Sequence, residues 1–146
     1  MFTYTIQLAG SDFNQYDEKG PIDFEGFTNV LYTFPWIEQM QLYNVTKEGA
    51  SATISVINNI TKKVLWVSIA GNENKNTYLI GYVFNKSVKG FLGFGKDKIK
   101  RWVDIYSVQS LDEVINFFNL FFSEKDDDLL STLSLEERFD SMAAPE

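Results

Sequence analysis

The run whose spacing comes nearest to a chemical motif is Gly90 to Lys96, GFLGFGK, which matches the first seven positions of the phosphate-binding pattern G-x-x-x-x-G-K. The next residue is Asp97, where a hydroxyl should hold magnesium, and strand-like sequence follows where the phosphate would need a helix N-terminus. The expectation is therefore a glycine-bent hairpin with Phe91 and Phe94 docked on the core. Around it, Lys86, Lys89, Lys96, Lys98, Lys100 and Arg101 interleave with aromatics, a mixture that can meet phosphates and bases. In a chain of net charge -7 a solvated loop of alternating charge is the better reading, and no nucleic-acid partner is expected. Asp12, Asn14, Asp17, Glu18 and Asp23 are close enough to suggest calcium. However, Tyr16 occupies a ligand position and Asp17 stands where the calcium loop needs glycine, so no metal is expected. The same residues read as an exposed acidic patch that could meet a basic protein.

Asp112 and Glu113 are neighbouring carboxylates, but residues adjacent on a helix do not face one another, and their plain role is capping. No Ser-x-x-Lys or Gly-x-Ser-x-Gly arrangement occurs. The chain contains neither histidine nor cysteine. Disulfides, thiolate metal sites and cysteine nucleophiles are thereby excluded, along with the usual general base near neutral pH. Neither catalysis nor a cofactor is expected.

The elements that would position these residues follow from periodicity. Phe2, Tyr4, Ile6 and Leu8 alternate with Thr3, Thr5 and Gln7 as in a half-buried strand, and a loop rich in Gly, Asp and Asn follows. Asp23 can cap a helix carrying Phe24, Phe27, Val30 and Leu31, which Pro35 interrupts. The next segment, from Trp36, fits either a helix aligning Trp36, Met40 and Tyr43 or a strand, with the helix preferred. Ala52 to Ile57, Val64 to Ala70 and Thr77 to Phe84 are rich in β-branched and aromatic residues and read as an antiparallel meander. Arg101 to Val108 adds a strand, and Ser110 with Glu113 then forms a capping box opening a helix with a broad apolar stripe from Leu111 to Phe122.

Charge divides the chain. Met1 to Ser123 holds 12 acidic and 11 basic side chains, whereas Glu124 to Glu146 holds 8 acidic and 2 basic. The expected organisation is one α+β domain over 1–123, with an antiparallel sheet of about five or six strands and helices packed on one face. An acidic, partly mobile tail follows over 124–146, beginning at Asp126, Asp127 and Asp128, with Ser131 and Ser134 each able to cap a short helix through Leu135 to Phe139. The N-terminus lacks a basic flank and a long apolar run, and no segment has the length to span a bilayer, so a cytoplasmic protein without a membrane partner is expected.

The order of features from Ala52 to Ser123, meander strands leading through a Gly/Lys loop to RWVDIYSV and the capped helix SLDEVINFFNLFF, resembles small bacterial immunity proteins of polymorphic and contact-dependent toxin systems. The resemblance implies a protein that binds and neutralises a cognate toxin domain by stoichiometric inhibition. A basic toxin would be drawn to an acidic surface. The expected contact residues are Asp12, Tyr16, Asp17, Glu18, Trp36, Glu38, Tyr43, Asp126, Asp127 and Asp128, with the aromatics as anchors and Trp36 equally suited to core packing. The alternative is a non-catalytic ligand-binding or assembly module, of phage or secretion-system type, using an aromatic pocket in the sheet.

Overall fold

A computed structural model describes residues 1–72, 74–88 and 98–144. The glycine-rich segment 90–96, with Lys89 and Asp97, lies outside the described residues. In chain order the elements are β1 (Phe2–Gln7), β2 (Asp17–Pro21), α1 (Phe24–Thr33), α2 (Trp36–Thr46), β3 (Thr53–Asn58), β4 (Val64–Gly71), β5 (Asn76–Val88), β6 (Lys98–Val108), α3 (Leu111–Phe122), α4 (Asp126–Leu133) and β7 (Glu137–Ala143). The strands form one antiparallel sheet of seven, in the order β2-β1-β3-β4-β5-β6-β7. The α+β class is thus as expected, with one strand more than the upper expectation.

Strand alternation decides which side is packed. Phe2, Tyr4 and Ile6 of β1 lie on the same face as Val56 and Ile54 of β3, Leu65 and Val67 of β4, Ile80 and Tyr82 of β5 and Tyr106 of β6. That face carries all four helices. Their buried residues, including Phe27, Leu31, Met40, Phe118, Phe121, Leu129 and Leu133, join the sheet's in a single core. Phe27 of α1 stacks on Phe118 of α3 with ring centroids 4.2 Å apart, locking the two helices together on the sheet.

Local sequence explains the helix ends. Asp23 Oδ1 accepts from the Gly26 backbone N–H at 2.8 Å, satisfying one of the donors that an α-helix leaves free. Ser110 Oγ accepts from Glu113 N–H, and Glu113 Oε2 accepts in return from the N–H of Gln109, one residue before the cap. Asp112 does more than favour the positive helix end: Tyr32 of α1 donates its hydroxyl proton to Asp112 Oδ1 at 2.7 Å and ties α1 to α3. Both central hairpin loops are closed by asparagine carbonyls. Asn58 Oδ1 accepts from Ile60 and Thr61, and Asn72 Oδ1 from Asn74 and Lys75.

The structure departs from expectation in the C-terminal segment and at both sheet edges. The segment after Ser123, expected as a partly mobile tail, carries packed elements: Leu129 and Leu133 of α4 are fully buried, and β7 pairs with β6 from Ser107 to Trp102. Asp126, Asp127 and Asp128 form the first turn of α4, where carboxylates are favoured by the positive end of the helix dipole. Residues expected as a surface loop (Asp17–Pro21) and as part of a short helix (Glu137–Phe139) are edge strands. They escaped the periodicity test because neither buries a regular face.

Candidate functional site

The sheet face opposite the helices is uncovered among the described residues, and it holds a trough of about 590 Å³. Its floor follows from register. Ile57, Val64, Val83, Val103 and Met142 are successive Cα partners across β3, β4, β5, β6 and β7, making an apolar ribbon that crosses five strands. The neighbouring row runs from Glu18 through Thr5, Ser55, Trp66, Gly81 and Ile105 to Asp140.

At the middle of this row Trp66 lies across its partner strand. A Cβ built on Gly81 would overlap Cε2, Cζ2 and Nε1 of the indole, so the ring occupies the space that any other residue at 81 would fill. Glycine is required here for close approach and not for a positive φ. The result is a half-buried indole lying over β5, forming part of the trough floor.

One wall comes from the β1–β2 connection. Gln7 points its side-chain amide at the carbonyl oxygens of Asp12, Phe13 and Gln15, at 3.1 to 3.3 Å, and so shapes a loop whose Asp12 carbonyl also accepts from the Gln15 N–H at 2.9 Å. That loop presents Phe13, 80% exposed, and Tyr16, 54% exposed, beside Glu18. At the other end stands Arg101, whose Nη2 donates to the Lys62 carbonyl at 2.6 Å. The trough therefore has an acidic, aromatic wall at β2 and a guanidinium at the far end of β6.

The expected contact residues divide between the two sides of the sheet. Tyr16 and Glu18 line the trough, and Asp12 contributes the carbonyl that Gln7 holds. Asp17 is exposed beside them and lies 3.9 Å from Lys19 Nζ. Glu38 is exposed and Tyr43 half-buried on α2, in the helical layer and away from the trough. Trp36 is not available as an anchor: it is 4% exposed, its Nε1 donates to the Leu31 carbonyl, and its ring packs edge-on against Tyr78. Asp126 is bound to Lys63 Nζ at 2.7 Å, with Asp127 and Asp128 exposed beside it.

This cluster pins α4 to the β3–β4 turn. The Asp126 carboxylate raises the pKa of the Lys63 ammonium by hydrogen bonding, and burial raises that of the nearby Tyr82 phenol. Elsewhere, burial and then the Glu113 carboxylate raise the pKa of Glu136 from its ordinary value. Lys86 sits 4.4 Å above the Trp102 ring, whose Nε1 donates to Ser141 Oγ of β7. Among the described residues the ion pairs are Lys19–Asp17 and Lys63–Asp126, so the basic residues of β5 and β6 do not pair with the acidic C-terminal segment. No group of three or more metal-ligating side chains is assembled among the described residues, and no described helix is long and apolar enough to cross a membrane.

Trp66 and its ribbon are the part of this site that sequence reasoning overlooked. A signal was present: VLWV in β4 is apolar at successive positions, and a strand apolar on both parities has two faces to cover. No known protein-family model matches the chain, and no curated protein or solved structure is significantly similar to it.

Proposed function

We propose that the chain is a non-catalytic binding protein that neutralises a bacterial toxin domain, docking a basic partner on the uncovered face of its sheet. The observation that supports this reading is the trough: an apolar floor centred on Trp66, walled by Phe13, Tyr16 and Glu18. A concave, largely apolar trough with a few polar groups at its rim has the form of a binding site, and aromatic anchors beside carboxylates suit a cationic protein. The net charge of -7 adds long-range attraction for such a partner. The experiment is co-expression with each toxin-like domain found in a neighbouring open reading frame. The expected result is restored growth and a one-to-one complex whose affinity falls with salt and is weakened by Glu18→Lys and Tyr16→Ser. No complex, or one indifferent to salt and to both substitutions, would overturn the reading.

A second reading, a ligand-binding accessory module, is favoured by one measure: the trough volume of about 590 Å³ lies within the roughly 300–1,000 Å³ typical of small-molecule sites. Native mass spectrometry of the purified protein, with an apolar small molecule retained and then lost in Trp66→Ser, would support it over the first.

A further inference from the structure

We infer that the partner element seated in the trough is a single amphipathic helix, lying diagonally with its N-terminal end at Glu18 and its C-terminal end at Arg101; the inference rests on the binding role proposed above. Two observations lead to it.

The first concerns backbone chemistry. An extended segment can dock by adding to a sheet edge, where its own N–H and C=O groups find partners. Both edges resist this. In β2 the edge contains Pro21, which has no N–H, and the β1–β2 register shifts between Tyr4 and Thr5. In β7 the register shifts between Ile105 and Tyr106, and the Asp140 carboxylate takes the Ser141 backbone N–H at 2.7 Å. Beyond the Thr5, Thr53 and Ser55 hydroxyls near β1, the face from β4 to β7 offers Val64, Trp66, Val83, Val103, Ile105 and Met142, over which an extended chain would lose water from its backbone without replacement. A helix bonds its own backbone internally and can cover the ribbon with one apolar stripe.

The second concerns length and polarity. From β2 to β6 is five strand spacings, and the register places Arg101 four residues beyond Ile105, which shares a row with Glu18. The diagonal is then about 27 Å, the length of a helix of about 18 residues. Among the described residues the Glu18 side chain carries no hydrogen bond or ion pair, and the Arg101 guanidinium bonds only the Lys62 carbonyl, so a negative and a partly free positive group mark opposite ends of the trough. A helix dipole has its positive end at the N-terminus and its negative end at the C-terminus, which selects one direction.

The test uses stapled 18-residue peptides with one Leu stripe, read by fluorescence anisotropy against the full chain. One peptide carries Lys at its N-terminal end and Glu at its C-terminal end, a second has those charges exchanged, and a third has two central prolines. The first should bind about tenfold more tightly than the second. The prolines should abolish binding, and the surface double variant E18K/R101E should reverse the charge preference. Equal binding of the proline peptide, no charge preference, or no binding to a chain of unchanged circular dichroism would overturn the inference. So would sedimentation showing the trough closed by a second copy, with a dimer lost in Trp66→Ser. Toxin binding measured in parallel separates the two proposals. Toxin binding lost in Trp66→Ser without peptide binding refutes the helix alone. Peptide binding lost in that variant with toxin binding unchanged supports the helix and refutes the toxin reading of this face.

Discussion

Replacing Gly81 by Ala should destabilise the protein, and the same substitution should stabilise it once Trp66 has been removed. The reversal follows from the contact between the two. Gly81 is buried in β5 and the new Cβ would overlap the indole, so the ring must leave the trough floor or the strands must part. Overpacking of this kind costs about 1–3 kcal/mol. In a Trp66→Ala background the obstacle is gone, and φ at 81 is not in the left-handed region that penalises side chains. Alanine then gains about 0.5–1 kcal/mol from the reduced freedom of the unfolded chain. The four proteins of the cycle should therefore show a coupling of about 1.5–4 kcal/mol between the positions. Urea unfolding followed by circular dichroism measures it, since tryptophan fluorescence differs among the variants. In the native background the midpoint temperature should fall by about 2–4 °C for each kcal/mol lost. If G81A were neutral or stabilising with Trp66 present, the indole would be free to swing aside. The trough floor described above would then be wrong.

Other perturbations address the remaining structure. Lys63→Met should cost about 1 kcal/mol at neutral pH, because Asp126 would lose its partner at the start of α4. The raised pKa values of Lys63 and Tyr82 fix the sign of the alkaline response. Their stabilisation is complete below their ordinary values near 10 and is lost as pH rises through the folded-state values, so urea midpoints should fall above about pH 10, less steeply in Lys63→Met. Leu129→Ala and Leu133→Ala should each cost about 2–5 kcal/mol in the same assay, whereas a mobile tail would tolerate both. Glu136→Gln should raise the melting temperature slightly at pH 7, since a carboxyl with a raised pKa is more stable folded when protonated. The difference from the native chain should vanish below about pH 4 in a pH series of melting curves.

Where local energetics decide a structure, the sequence made it legible. The alternation of β1, the β-branched central strands, the Asp23 and Ser110 caps and the apolar stripe of α3 each carry their cause within a dozen residues. Even the preference for a helix after Pro35 survived in α2, despite its weak amphipathic pattern. Tyr16 and Glu18 were recognisable as exposed aromatic and acidic groups because Gly, Asp and Asn surround them, and they do line the trough. Trp36 illustrates the opposite case: its type suits an anchor and a core residue equally, and only the packing of α2 against Tyr78 selects the core.

What the sequence by itself determined is the α+β class, the central antiparallel meander, the cap residues and the absence of histidine and cysteine chemistry. Tertiary structure alone decided that β2 and β7 are strands, because an exposed edge has no buried parity to repeat and forms only where a neighbouring strand offers hydrogen bonds. It also decided the fate of the acidic C-terminal segment, since Leu129 and Leu133 acquire their value only from the helix and sheet that receive them. Apart from Tyr16 and Glu18, the candidate site belongs to this second kind. Residues from Glu18 to Met142 meet because seven strands pair side by side in one sheet, and Trp66 rests on Gly81 because the β4–β5 pairing places a glycine beneath it.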